Sequence, residues 1–180
     1  MIILVGESAS GKSSIENYLI NHYAYSKIIS YTTREPRSNE EDGVDYYFID
    51  ELQFDELKKQ GFFAEYATYN GWHYGTAKED YAFDKVVVLT PHGLRQIKKS
   101  ININITSFYI NVPRRDRLIK ILYRGDNIEE AYRRNLSDVG MFDGIEDEVD
   151  FIIDNAGYEK NIEELAAEIV VNDNKEKNIN

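Results

Sequence analysis

Short apolar runs alternate with stretches of helical spacing along the chain. Ile2-Ile3-Leu4-Val5 is apolar throughout, which fits a strand buried on both faces of a parallel sheet. Ile15, Tyr18, Leu19 and Tyr23 then recur three to four residues apart, so a first strand and helix cover roughly residues 2–23. Lys27-Ile28-Ile29-Ser30 predicts a second strand. Alternation through Asp45-Tyr46-Tyr47-Phe48-Ile49 predicts another, and Asp50 with Gln53 predicts a capping box opening a helix near 51–60. A buried strand returns at Lys85-Val86-Val87-Val88-Leu89, followed by Thr90 as N-cap and Pro91 at the first helical position. Ser107–Val112 reads as strand. Pro113 opens a helix with Leu118, Ile121 and Leu122 on one face, and Asn127 with Glu130 predicts a further capping box. Val149–Ile153 is the last strand, and Ile162, Leu165, Ala166 and Ile169 mark the last helix. The polar run from Asn172 to Asn180 is expected to fray. Strand–helix alternation predicts a doubly wound α/β core with a parallel sheet.

The length of 180 residues suits one domain with insertions. The core reads as 1–29, 79–113 and 141–180. A segment rich in tyrosine, glycine and charge interrupts it at 30–78, and an arginine-rich stretch at 114–140. The net charge of −11 opposes binding to nucleic acid or anionic membranes. With no cysteine, disulfides and thiolate metal sites are excluded. No basic leader precedes the first strand and no apolar run approaches a membrane span, so a cytoplasmic location is expected. His73 reads as a surface or packing residue rather than a catalyst, and His22 and His92 have no carboxylate–histidine pattern near them, so neither reads as a metal ligand.

Gly6-Glu7-Ser8-Ala9-Ser10-Gly11-Lys12-Ser13, followed by Ser14, is a G-x-x-x-x-G-K-S phosphate loop set between a strand and a helix. Its glycines let backbone N–H groups curl around a polyphosphate, and the helix N-terminus adds partial positive charge. Lys12 would reach the β- and γ-phosphates of ATP, and the Ser13 hydroxyl would ligate Mg²⁺. The bland alternative is a glycine- and serine-rich turn.

Ser30-Tyr31-Thr32-Thr33-Arg34-Glu35-Pro36-Arg37, with Glu40, Gly43 and Asp45-Tyr46-Tyr47-Phe48, resembles the monophosphate-binding segment of guanylate kinases. Gly61–Ala67, Asn70–Thr76 and Asp150–Asn155 continue the resemblance, which spans residue 1 to about 170. It implies a P-loop nucleoside monophosphate kinase fold and the reaction ATP + GMP ⇌ ADP + GDP. Ser30, Arg34, Arg37, Tyr46, Glu65, Tyr74 and Thr76 would hold GMP, and Asn155 would join the loop in binding ATP. Two guanidinium forks suit one phosphate, and one carboxylate at Glu65 suits the adjacent N1–H and N2–H₂ donors of guanine. Against this, Arg34 and Arg37 could pair with Glu40, Glu41 or Asp42, Glu65 could be a surface carboxylate, and Tyr46 and Tyr74 could be core residues.

The stretch 114–140 holds Arg114, Arg115, Arg117, Arg124, Arg133 and Arg134, and reads as a helical lid that excludes water. Arg124-Gly125 resembles the family's lid element, so the catalytic set reads Lys12, Arg34, Arg124 and Arg134. Salt bridges from Arg133 and Arg134 to Glu129 and Glu130 are the alternative. Three departures stand out. Val88 and Thr90 occupy positions where the family carries acids. The second lid arginine falls at Asn135, one residue after Arg134, and one helical residue turns a side chain by about 100°. Residues 139–144 contain two glycines where the family keeps a helix. Other acceptors, such as dGMP, and a non-catalytic interaction module remain competing readings. Oligomeric state is not legible.

Overall fold

The computed structural model describes residues 1–180 except 38, 39, 70, 126, 127 and 180, and describes backbone alone at 69, 124, 130, 131 and 177–179. Five parallel strands form the main sheet: β1 (Ile2–Val5), β2 (Ser26–Lys27), β7 (Lys85–Val88), β8 (Thr106–Asn111) and β9 (Phe151–Asp154). Their order is β2-β7-β1-β8-β9, so β1 lies at the centre, and its four residues are buried on both sides. Ile2 and Leu4 face one layer, with Ile15 and Leu19 of α1 (Lys12–His22) and Leu165, Ala166 and Ile169 of α6 (Ile162–Ile179). Ile3 and Val5 face the other, with Leu94 and Ile97 of α3 (Pro91–Ser100). This two-sided burial is why the strand reads as an unbroken apolar run.

A second sheet of order β4-β3-β6-β5 is built from β3 (Ser30–Thr32), β4 (Tyr46–Phe48), β5 (Phe63–Tyr69) and β6 (Trp72–Ala77). β3 runs parallel to β4, and β6 is antiparallel to both β3 and β5. A register shift between Phe63 and Glu65 sets Glu65 opposite Thr76. One flank of this sheet is aromatic: Tyr31 meets Phe62 and Phe63, and Phe54 of α2 (Glu51–Lys59) stacks on Phe63 and His73. His73 is therefore a packing residue.

Both caps legible in the described chain are present. The Asp50 side chain accepts from Gln53 N–H, and the Gln53 side chain accepts from Asp50 N–H. Thr90 accepts from Gly93 N–H ahead of Pro91. The Asn127–Glu130 cap lies outside the described residues. α4 (Arg114–Arg124) follows Pro113, and α5 (Ile128–Ser137) follows it. Among the described residues no helix is long and apolar enough to cross a membrane.

Three expectations are corrected. The strand at 27–30 is two strands in two sheets. Ile28 is buried in the main core, while Ser30 begins the second sheet. Leu122 is 63 % exposed, so the inward stripe of α4 is carried by Arg117, Leu118 and Ile121. The polar tail does not fray at 172, because α6 continues to Ile179. Asp173 is fully buried and accepts from Thr106 Oγ1 at 2.7 Å and Tyr25 OH at 2.5 Å.

Candidate active site

Open α/β sheets bind ligands beyond the carboxyl ends of their strands. The loop after β1 lies at that end. Gly6 approaches β8 so closely that an added Cβ would sit 2.8 Å from the Ile110 carbonyl and 2.8 Å from Ser10 Oγ. Gly11 caps α1 with φ +98°, a left-handed backbone that glycine adopts freely. The Lys12 ammonium donates to the Glu7 carbonyl at 2.8 Å and to Ser10 Oγ at 3.3 Å. Desolvation lowers its pKa to about 8, opposed by the charges of Asp138 and Glu7. Glu7 is held at both oxygens, by Tyr109 OH at 3.0 Å and Arg117 Nη2 at 3.2 Å. Ala9 has φ +66°, and its carbonyl accepts from Tyr158 OH at 2.7 Å.

The second sheet turns a polar face toward this loop. Period-two alternation puts Ser30, Tyr46, Glu65, Tyr74 and Thr76 on that face, and Arg34, two residues past β3, lines the same cleft. Glu65 is 6 % exposed and accepts from Thr76 Oγ1 at 2.9 Å. Thr76 Oγ1 in turn lies 2.7 Å from Tyr81 OH. Burial raises the Glu65 pKa to about 7. Gly93 leaves room for it, since a Cβ there would meet Glu65 Oε2 at 3.1 Å. Arg34 donates both Nη2 hydrogen bonds to Glu40, at 2.8 and 2.9 Å, and its guanidinium lies 5.4 Å from the Tyr46 ring centre. Arg37 also reaches Glu40, at 3.8 Å. The pairing weighed in the sequence is thus real, and it orients the Arg34 fork beside the tyrosines without removing either arginine from the cleft.

One cavity of about 460 Å³ joins the parts. Gly6, Lys12 and Ser13 line it from the loop; Ser30, Arg34, Arg37, Tyr46, Glu65 and Tyr74 from the second sheet; and Arg133 and Arg134 from α5. Val88 and Thr90 line it where the family carries acids. Asn135 is 3 % exposed and accepts from Arg114 Nε at 2.8 Å, so position 135 faces the root of α4 and its neighbours face the cleft. α5 ends at Ser137, and Gly140 and Gly144, both at positive φ, shape turns that bury Phe142 and Ile145.

Not every expected residue reaches the cavity. Glu7, Ser8, Ala9, Ser10, Gly11 and Ser14 shape or flank the loop, and Thr76 donates to Glu65 without lining the cavity. The Asn155 side chain accepts from Lys160 N–H at 2.9 Å and donates to the Lys160 carbonyl at 3.3 Å, so it builds the turn after β9. The Arg124 side chain lies outside the described residues. Sequence reasoning missed the Arg117–Glu7–Tyr109 group and Tyr81. Arg117 and Tyr109 meet Glu7 from 110 and 102 residues away, and Tyr81, though only five residues from Thr76, belongs to no motif; Glu7 in the phosphate loop and Arg117 in the arginine-rich stretch carried the only signal.

The sequence model of the family described as guanylate kinase matches residues 1–172. The guanylate kinase of Rickettsia bellii is 32 % identical over 186 residues, spanning 99 % of this chain and 96 % of its own. That of Alkalilimnicola ehrlichii is 28 % identical, spanning 96 % and 88 %. A crystal structure of guanylate kinase from Anaplasma phagocytophilum matches the fold with a TM-score of 0.71 at 24 % identity, covering 95 % of this chain and 82 % of that one. A family match across residues 1–172 and a relative 32 % identical over nearly the whole of both chains show that the chain belongs to the guanylate kinase family.

Proposed function

We infer that the chain transfers the γ-phosphoryl group of ATP to GMP, giving ADP and GDP. The observation that carries this reading is the shared cavity, in which Lys12 faces Arg34, Arg37 and Glu65. Phosphoryl transfer asks a protein mainly to align two anions and to neutralise developing charge. The loop amides and Lys12 hold the donor phosphates. Arg34 and Arg37, with the Tyr46 and Tyr74 hydroxyls, hold the acceptor phosphate, and Ser30 adds a donor. The ionised Glu65 accepts from guanine N1–H and N2–H₂, with Thr76 fixing its orientation. Arg133 and Arg134 supply positive charge from the lid side, and Arg124 is assigned to the same role. Arg134 stands in for the arginine missing at 135. The unit 30–78 is the acceptor-binding segment and 114–140 the lid, both set on a core of 1–29, 79–113 and 141–180.

Ser13 lines the cavity in the first turn of α1, and no group of three acidic or histidine side chains able to hold a metal occurs among the described residues. One hydroxyl fits a Mg²⁺ that arrives with ATP and keeps phosphate and water ligands. Bound there, the ion would offset charge on the β- and γ-phosphates.

The test is ADP release measured with GMP, dGMP, AMP, UMP and CMP as acceptors. GMP should exceed AMP in kcat/KM by on the order of a hundredfold or more, because AMP leaves the buried Glu65 edge unpaired. Equal rates with all five, or no acceptor-dependent release, would overturn the reading.

A further inference from the structure

Asp138 directly follows α5, and its N–H donates to the Arg134 carbonyl at 3.1 Å. Its side chain, 10 % exposed, turns to the phosphate loop. Oδ2 accepts the Ser8 N–H at 2.8 Å and lies 3.7 Å from Arg117 Nη1. Arg117 grips the same part of the loop, donating to the Ser8 carbonyl at 3.3 Å and to Glu7 Oε1 at 3.2 Å. A third bond, to the Val112 carbonyl at 2.9 Å, anchors Arg117 just past the end of β8. Asp138 also lines the cavity that Lys12, Arg133 and Arg134 line. A carboxylate therefore takes a phosphate-loop amide and a guanidinium, the same kinds of partner that a phosphate takes.

We propose that Asp138 is a positioning residue that docks the end of α5 on the phosphate loop, and that the donor triphosphate displaces it. Donor binding is then transmitted to the segment that carries Arg133 and Arg134. The proposal rests on the reading of residues 6–13 as the donor site. The triphosphate brings several negative charges to a site where Asp138 already has one, so the two compete for Ser8 N–H, Arg117 and the field of Lys12. Phe142 and Ile145 are buried a few residues on, so the segment able to shift is short and ends near Gly140.

The experiment is ADP binding by calorimetry to the wild type and to Asp138→Asn, with GMP binding as the control. Asparagine keeps the volume and an acceptor oxygen for Ser8 N–H but removes the competing charge. ADP should bind about threefold to tenfold more tightly, and GMP binding should not change. A purely structural role would weaken ADP binding instead. The wild type gives a second readout that needs no variant: ADP alone should shift the backbone NMR signals of residues 133–139 as well as those of 6–14. Unchanged or weaker ADP binding in Asp138→Asn, or shifts confined to 6–14, would overturn the proposal and leave the kinase reading standing. If the wild type binds no ADP, the donor-site reading fails and the proposal falls with it.

Discussion

Glu65→Gln removes one charge and reverses one hydrogen-bonding atom while keeping the side chain's shape. The carboxylate is 6 % exposed, with one oxygen engaged by Thr76 and the other against Gly93. Guanine's paired donors need an acceptor at that edge. The amide presents a donor there, and a buried mismatch of this kind costs roughly 1–3 kcal/mol. That is about fivefold to 150-fold in affinity. The native group adds a pH signature. Burial places its pKa at about 7, and only the ionised form accepts from both guanine donors. One unit above this pKa ten-elevenths of the molecules are ionised, and one unit below it one-eleventh. Guanine affinity should therefore fall about tenfold from pH 8 to pH 6. Guanosine, measured as a competitor of GMP, isolates the effect, since a phosphate monoester titrates near pH 6 on its own. Glu65→Gln should bind guanosine weakly at both pH values with no slope between them. A wild type whose guanosine affinity is flat from pH 6 to 8 would refute both the base-reading role and the argument from burial.

Three further outcomes follow from the same geometry. Lys12→Ala should cost on the order of 3–4 kcal/mol in the barrier while GMP affinity stays within error, measured by single-turnover kinetics and calorimetry; retained kcat would refute the donor assignment. Arg134→Ala and Arg133→Ala should lower kcat and leave the GMP dissociation constant unchanged, because charge from the lid side acts on the transition state; normal turnover in both would remove the lid from the mechanism. Glu16 in α1 is buried, and burial raises its pKa to about 7 against the ordinary 4.5. A raised acid pKa destabilises the ionised fold as pH climbs from 4.5 through 7, and 2.5 units correspond to about 3 kcal/mol. Glu16→Gln should thus raise the Tm at pH 8 and leave it nearly unchanged at pH 4.5.

The main sheet was legible because burial on both faces of a parallel strand leaves an unbroken apolar run, as in Ile2–Val5 and in Val86, Val87 and Val88. The phosphate loop was legible because its chemistry demands fixed residues at fixed spacing. What was hidden depends on contacts that join distant parts of the chain. Ile28 and Ile29 look like one strand with Ser30 until a second sheet claims Ser30. Asp173 reads as tail until Thr106 and Tyr25, 67 and 148 residues away, bury it. Asp138 reads as an ordinary helix-end acid until Ser8, 130 residues earlier, donates to it. Spacing also could not show which way position 135 points: Asn135 faces Arg114, while Arg133 and Arg134 line the cleft.

The central claim is that one cavity aligns a donor and an acceptor phosphate for direct transfer. Phosphorus NMR of ATP, GMP, Mg²⁺ and the protein tests it most directly. The account predicts that the GDP β-phosphorus signal grows in step with ADP, that inorganic phosphate does not accumulate, and that AMP in place of GMP yields only trace transfer. ADP appearing with inorganic phosphate and no GDP would contradict it.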